Sequence, residues 1–229
     1  MNKNNDLYVL LPHRGLAAGK SRLAAVLADE TRSALNRWLL VRTLQLVGTW
    51  LNDARRCVVV SGCAQALAVA RDAGVTALLE DAAEPGLNAA LGHAAAHAVA
   101  LGAQHLLVLP CDLPRLDSAA LDAMLALRLA DADVMIAPDR HGAGTNALLT
   151  NANWRDFAFG DDSYARHAAR ATQQGLRVAR CMHAALAFDI DTMQDYAEWL
   201  STDSDIPSFL RTPFPQGLSE NARCIMRQQ

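Results

Sequence analysis

His105-Leu106-Leu107-Val108-Leu109 runs directly into Pro110-Cys111-Asp112-Leu113-Pro114, and Ala185-Leu186-Ala187-Phe188 runs into Asp189-Ile190-Asp191. Each apolar run is short and bounded by turn residues, the pattern of a strand buried on both faces of a sheet. Ligands of open α/β sheets collect just outside the carboxyl ends of such strands, so Asp112, Asp189 and Asp191 are expected in one place. Carboxylates gathered in this way repel one another unless something positive lies between them. A hard divalent cation such as Mg²⁺, carrying phosphate oxygens, meets that need. Asp189 and Asp191 are two residues apart, so an extended chain turns both to one face and Ile190 to the other. Asp191 as a simple helix N-cap is the plainer explanation, but it accounts for neither Asp189 nor Asp112. The group therefore reads as a metal site.

Working outward, further strand-like runs lie at 7–11, 57–61, 134–137, 147–150, 177–181 and 187–190, with a shorter candidate at 77–80. Stretches with helical spacing separate several of them, at 29–48, 64–73, 87–101, 118–130 and 163–174, with Gly74, Gly102 and Gly175 as stops. A last helix starts near Asp191 or Thr192, where Thr192-x-x-Asp195 has the form of a capping box. The alternation predicts an α/β fold: a doubly wound, mostly parallel, Rossmann-like sheet with helices on both faces. Two strand-like runs follow one another after Val134 with no helix between. They predict a small antiparallel element, either an edge or an insertion covering the substrate. Residues 1–200 form one domain in this reading. From Ser201 the composition shifts to Ser, Asp, Pro, Gln and Arg, so 201–229 reads as a C-terminal tail that wraps the domain, mediates association or stays flexible.

With 229 residues, 52% of them hydrophobic, the chain has enough apolar material for a sizeable core, which excludes disorder for its bulk. A formal net charge of −3 argues against sequence-independent nucleic-acid binding. An anionic ligand must then be held by a local site. The first six residues lack the charged-then-apolar pattern of a secretory signal, and no apolar run is long enough to span a bilayer. A cytoplasmic protein without membrane or nucleic-acid partners is the expectation. Cys57, Cys63, Cys111, Cys181 and Cys224 are odd in number and include no C-x-x-C pair, which reads as reduced, mostly structural thiols rather than a zinc site.

Four loops carry candidate ligand contacts. Leu11-Pro12-His13-Arg14-Gly15-Leu16-Ala17-Ala18-Gly19-Lys20-Ser21-Arg22-Leu23 leaves the first strand where a nucleotide usually lies in a doubly wound sheet. Gly15 and Gly19 allow close backbone approach, and Arg14, Lys20 and Arg22 can neutralise a triphosphate. It is not a P-loop, because three residues separate the glycines where that motif has four. In Glu84-Pro85-Gly86-Leu87-Asn88, Gly86 and Asn88 can present N–H groups to a base or phosphate at a helix start. His141-Gly142-Ala143-Gly144-Thr145-Asn146 can form a backbone nest for a small anion. In Phe159-Gly160-Asp161-Asp162-Ser163, Gly160 and Ser163 can hold a phosphate or carboxylate. Each also has a bland alternative, respectively an exposed basic loop, a helix start, a β-turn and a helix cap. His93 and His97 have metal-ligand spacing, but Ala94 stands where a metalloprotease needs Glu, so no role is assigned to them. No G-x-S-x-G elbow is present.

Taken in order, P-x-R-x-L…K-S-R-L, G-L-N-A-A-L, L-P-C-D-L-P, A-P-D-R-H-G-x-G-T-N-A-L-L, F-G-x-x-S-Y-A-R-H and D-I-D-T resemble the phospholactate guanylyltransferases of coenzyme F-420 biosynthesis. These belong to the molybdopterin-guanylyltransferase-like nucleotidyltransferases. The likeness runs from about Leu7 to Leu200. It implies transfer of GMP from GTP to the phosphate of a small phospho-acid, with release of pyrophosphate. By the same likeness Asp112, Asp189 and Asp191 hold Mg²⁺, and Lys20 and Asp112 serve catalysis. Arg14, Lys20 and Arg22 meet the triphosphate, Gly86 and Asn88 lie nearer the guanine, and Thr145, Gly160 and Ser163 bind the acceptor. A homodimer is also among the implications. The chain departs from the commonest family form at Arg14 (usually Lys), Gly15 (usually Pro) and Asp162 (usually Gly). Asp162, a carboxylate in the acceptor loop, leaves 2-phospho-L-lactate, phosphoenolpyruvate and 3-phosphoglycerate open as acceptors. Two other readings compete. One is a nucleotidyltransferase forming a molybdopterin dinucleotide or an NDP-sugar, whose usual glycine-rich first loop is missing here. The other is a non-catalytic nucleotide-binding relative, against which the retained aspartates and Lys20 speak.

Overall fold

The strands are β1 (Leu7–Pro12), β2 (Cys57–Ser61), β3 (Thr76–Leu79), β4 (His105–Val108), β5 (Val134–Pro138), β6 (Thr145–Asn151) and β7 (Val178–Arg180). In the computed structural model, which describes residues 6–17 and 20–211, they form one sheet of order β3-β2-β1-β4-β6-β5-β7. All pairings are parallel except those of β6, which runs antiparallel to both β4 and β5. The helices are α1 (Asp29–Leu51), α2 (Ala64–Asp72), α3 (Leu87–Ala100), α4 (Ser118–Leu129), α5 (Ser163–Gln173), α6 (Ala184–Ala187) and α7 (Met193–Thr202).

The period of two along a strand divides the core. Leu7, Val9 and Leu11 join a cluster with Leu40 and Leu44 of α1, Leu67 of α2 and Leu121 of α4. Tyr8 and Leu10 point the other way, to Leu91 and Ala94 of α3 and Ala171 of α5. Because both faces are covered, β2 is buried along its whole length and reads as an unbroken apolar run. A third cluster lies beyond the end of the sheet. Leu23, Leu35, Leu39, Phe188, Ile190, Tyr196, Trp199, Ile206 and Leu210 pack together there. Residues 206 and 210 of the segment read as a tail therefore lie against the domain, and the Tyr196 hydroxyl donates to the Leu210 carbonyl at 2.9 Å. The remainder of that segment, 212–229, lies outside the described residues.

Two expectations need correction. Residues 187–190 do not form a strand. Ala184–Ala187 make a single helical turn, started by the Ala185 N–H donating to His183 Nδ1, and the chain then crosses the end of β4. Its contact there is one bond from the Ile190 N–H to the Asp112 carbonyl, 3.1 Å, in place of a ladder. The antiparallel strand is also neither an edge nor an insertion, because β6 lies inside the sheet between β4 and β5. The Thr192 capping box forms as expected, with Thr192 Oγ1 accepting from the Asp195 N–H and Asp195 Oδ2 from the Thr192 N–H. Among the described residues no helix is long and apolar enough to cross a membrane.

Candidate active site

The third core cluster positions the chemistry. Phe188 and Ile190 are buried in it, and the same alternation turns Asp189 and Asp191 to the opposite side. Leu23, three residues after Lys20, anchors the first loop in the same cluster. Lys20 adopts a left-handed conformation, φ 62°, and opens a short 3-10 turn over Ser21–Leu23. Its ammonium lies 3.1 Å from Asp112 Oδ2 and 3.4 Å from Asp191 Oδ1, on a side chain only 6% exposed. Burial alone would lower the Lys20 pKa, but the charges of Asp112 and Asp191 and their hydrogen bonds outweigh it, and the pKa is raised. The cation between the carboxylates is thus Lys20 itself. Asp189 is different. Its pKa is raised by burial first and then by the charge of Asp112, opposed by a hydrogen bond from Asn146 Nδ2 at 3.2 Å. The Asn146 amide also donates to the Leu186 carbonyl, 2.9 Å, and so ties β6 to the aspartate segment.

These groups border a single cavity of ≈ 770 Å³ at the carboxyl ends of β1 and β4, a size suited to a nucleotide. Arg14, Lys20, Arg22, Gly86, Asp112, Thr145, Gly160, Ser163, Asp189 and Asp191 all line it. Of the residues predicted from sequence only Asn88 does not. Its side chain accepts from the Phe159 N–H at 2.8 Å and donates to the Phe159 carbonyl at 3.1 Å, so it ties the start of α3 to the next loop. Gly86 takes φ +121°, and its N–H donates to Glu80 Oε1 at 3.2 Å. Asp162 is exposed and does not line the cavity.

Several lining residues had escaped the sequence reading. His13 accepts the Gly15 N–H on Nδ1, 3.0 Å. Burial brings its pKa down to about 4, helped by the Lys20 charge and resisted by Asp112, so it is neutral at pH 7. Gly15 has φ +116°, and a Cβ there would come 3.1 Å from Cys63 Cβ. Proline cannot adopt that φ and has no N–H to give His13, so the usual family residue is incompatible with this loop path. Gly19 lies outside the described residues. Glu80, Asp139 and Asn146 also line the cavity; Glu80 stands alone in the sequence, whereas Asp139 and Asn146 lie within the 137–149 motif without having been singled out. A Cβ on Gly144 would meet Asp139 Oδ2 at 2.8 Å, which is why the hairpin loop needs glycine at that position. Cys111 is among the lining residues, but its thiol is buried in the apolar core, which holds its pKa well above the ordinary range, so it stays protonated.

Two guanidinium groups clasp Phe188. Arg115 lies 3.8 Å and Arg140 5.1 Å from its ring centre. Arg140 also pairs with Asp195 and, at 2.8 Å, with Glu198, while Arg115 pairs with Asp203 at 2.9 Å. Asp195 Oδ2 in turn accepts the Asp191 N–H at 3.0 Å. The Asp189–Asp191 segment is therefore held from below by packing and from the side by ion pairs.

Three carboxylates beside a triphosphate-sized cavity suit a hard oxygen-seeking cation. Among the described residues no three acidic, His or Cys side chains converge into a self-sufficient metal cage. A divalent cation bound there would need oxygens of a substrate phosphate in addition to the carboxylates.

The chain matches a family described as "Guanylyl transferase CofC like" over residues 7–211. It is 39% identical over 191 residues to a phosphoenolpyruvate guanylyltransferase of Conexibacter woesei, covering 82% of this chain and 84% of that protein. It is 36% identical over 193 residues to a 3-phospho-D-glycerate guanylyltransferase of Phenylobacterium zucineum, covering 82% and 87%. Among solved structures, a Desulfovibrio desulfuricans protein shares the fold at TM-score 0.71 and 17% identity, covering 97% of both chains. A nucleotidyl transferase from Methanothermobacter shares it at TM-score 0.59 and 16% identity, covering 87% of this chain and all of that one. With its cavity, its Lys20–aspartate cluster and a family match along nearly all the described residues, the chain belongs to the CofC-like guanylyl transferases, enzymes of the nucleotidyltransferase class.

Proposed function

We propose that this enzyme transfers GMP from GTP to the phosphate of a small phospho-acid and releases pyrophosphate. The observation that carries the reading is one cavity lined together by a cationic loop, three carboxylates and Thr145, Gly160 and Ser163. That is the arrangement needed to bring two polyanions together. Relatives that bear the names of phosphoenolpyruvate and 3-phospho-D-glycerate guanylyltransferases support a phospho-acid as acceptor.

An acceptor phosphate oxygen attacks the α-phosphorus of GTP, the new P–O–P bond forms, and the bond to the β-phosphate breaks with its electrons leaving on pyrophosphate. No protein nucleophile is required, so the work of the chain is neutralisation and alignment. Arg14 and Arg22 meet the triphosphate, and Lys20, fully charged across the neutral range, bridges Asp112 and Asp191 close to it. Asp112, Asp189 and Asp191 would hold Mg²⁺ only together with oxygens of the triphosphate, and the ion when bound neutralises phosphate charge and favours departure of pyrophosphate. Gly86 lies toward the guanine. Thr145, Gly160 and Ser163 receive the acceptor, with Ser163 at the N-terminus of the eleven-residue α5, where anions are favoured. The likeness to the F-420 family supports coenzyme F-420 assembly as the use of the product, and a cytoplasmic homodimer belongs to the same reading.

The test is pyrophosphate release with GTP and Mg²⁺ in separate reactions with 2-phospho-L-lactate, phosphoenolpyruvate and 3-phosphoglycerate. Release that depends on one acceptor, with a guanylylated product of matching mass, is expected. No release with any acceptor overturns the proposal.

A further inference from the structure

His167 sits on α5 one turn beyond Ser163 and is completely buried. It lines no part of the cavity, yet it touches two segments that do. Its Nε2 accepts the Ala158 N–H at 2.9 Å, and its Nδ1 lies 3.0 Å from Thr145 Oγ1. The first bond fixes the second. A ring nitrogen that accepts from an amide carries no hydrogen, so the single hydrogen of a neutral imidazole is on Nδ1. Nδ1 therefore donates and Thr145 Oγ1 accepts. The hydroxyl's own hydrogen is left over, and the Thr145 side chain makes no other hydrogen bond among the described residues. Thr145 borders the cavity, so that hydrogen has the cavity as its outlet.

We propose that His167 is a positioning residue that commits the Thr145 hydroxyl to donate into the cavity, so that the ligand atom received there is an unprotonated phosphate or carboxylate oxygen. The inference rests on the functional reading above, which makes this part of the cavity the acceptor site. It gives one buried histidine control over acceptor binding without any contact to the acceptor. Two further features fit. Phe159 packs edge-on against the His167 ring at 4.7 Å between centres, and Trp154 at 6.3 Å, so the ring is held from both sides and its donor has a fixed direction. The bond to Ala158 also holds the loop that carries Gly160.

Asparagine and glutamine separate the two bonds, since an Asn amide nitrogen falls near the position of Nδ1 and a Gln amide oxygen near that of Nε2. His167→Gln keeps the Ala158 bond and loses the donor to Thr145, whereas His167→Asn keeps the donor and loses the Ala158 bond. With phosphoenolpyruvate or whichever acceptor the wild type uses, His167→Gln is expected to raise the acceptor KM about tenfold and leave the KM for GTP unchanged. His167→Asn is expected to lower Tm more while keeping the acceptor KM within about twofold. In a Thr145→Val background, His167→Gln should raise the acceptor KM no further. Repeating the Gln comparison with the carboxylate methyl ester of the acceptor tells the two oxygens apart. A lost response means that Thr145 meets the carboxylate, and a retained response means that it meets the phosphate. Acceptor KM values that follow Tm equally in both variants, or a GTP KM that rises as much as the acceptor KM, overturn the inference. A wild-type protein that transfers guanylyl groups to none of the three acceptors overturns the functional reading and this inference with it. Transfer by the wild type, with acceptor KM indifferent to the Gln–Asn distinction, overturns this inference alone.

Discussion

Lys20 and Asp112 stand 92 positions apart in the chain and meet at 3.1 Å, the lysine almost fully buried and the aspartate partly open to solvent. The carboxylate holds the ammonium in its charged form beside the cavity where phosphate must be received. Asp191, 3.4 Å from the same ammonium, makes the pair a triad.

Replacing Lys20 by methionine removes the only one of these charges that is positive. Asp112 and Asp191 would then repel each other and an incoming triphosphate alike. Pyrophosphate release is expected to fall by at least ~100-fold, the scale for loss of a charge-stabilising group in a water-excluded site. Lys20→Arg should restore little of it, since a forked guanidinium does not reproduce a single Nζ between two carboxylates. Steady-state turnover of the two variants, with circular dichroism to verify folding, checks both outcomes.

Asp189 gives the opposite balance of stability and activity. Its folded pKa is raised by burial and by Asp112, so the protein binds this proton more tightly when folded. The sign follows: stability from this group falls as pH rises from the unfolded value through the folded one, and at pH 7 the ionised carboxylate weighs against folding. Asp189→Asn should therefore leave the Tm of the EDTA-treated protein equal or higher at pH 7. Its turnover should nevertheless drop by ~100-fold or more. A Tm clearly below that of the wild type would contradict this account of the carboxylate.

What could be read in the sequence divides along physical lines. The central strands β1, β2 and β4 were legible because burial on both faces leaves an apolar run bounded by turns. The acidic segments at β4 and before α7 were legible because charge at the end of such a run has few structural uses. Ala185–Phe188 and 187–190 read as a strand although Ala184–Ala187 are a helical turn, since a short Ala/Leu run fits either and only the neighbours decide. The position of β6 was equally hidden, because periodicity does not record which strands will lie beside one another. His13, Glu80, Asn146 and His167 take their roles from partners made by the fold. Asn146 meets Asp189 from 43 positions away, and His167 meets Thr145 from 22. Asn88 also takes a structural partner that the sequence does not reveal, Phe159, 71 positions away.

Gly15 should tolerate no substitution. At φ +116° an added Cβ both strains the backbone and approaches Cys63 Cβ to 3.1 Å. Gly15→Ala is expected to cost about 1–2 kcal/mol of stability. Gly15→Pro should go further, removing the N–H that His13 accepts and redirecting Arg14, so that the KM for GTP rises several-fold more than that for the acceptor. Urea unfolding and a two-substrate kinetic analysis measure the two effects.

His167 should make the protein sensitive to acid. Burial, aided by the charges of Arg170 and Arg166 and opposed by Asp156, lowers its pKa to about 4. The unfolded chain therefore takes up the proton first as pH falls. The stability contributed by the neutral ring is complete above an unfolded pKa of ~6.5 and is lost progressively down to the folded value, about 3 kcal/mol in all and about 2 kcal/mol by pH ~5. Urea midpoints between pH ~7 and pH ~5 should fall more steeply for the wild type than for His167→Gln, whose side chain does not titrate. Parallel slopes would mean that the ring is not held neutral.

Arg140 couples stability to the site. It stacks on Phe188 and pairs with Asp195 and Glu198, and Asp195 in turn holds the backbone N–H groups of Asp191 and Thr192. Arg140→Ala leaves the buried Asp195 carboxylate without its cation, so a loss of about 3 kcal/mol is expected. Activity should fall as well, because the segment bearing Asp189 and Asp191 loses its lateral support, which separates this variant from Asp189→Asn. The pairing itself is tested by adding Asp195→Asn. The stranded charge that makes Arg140→Ala costly is absent from the double variant, so the combined loss should be smaller than the sum of the single losses by 1 kcal/mol or more, as is usual for contacting charges. Strict additivity would assign the effect of Arg140 to its stacking on Phe188 alone.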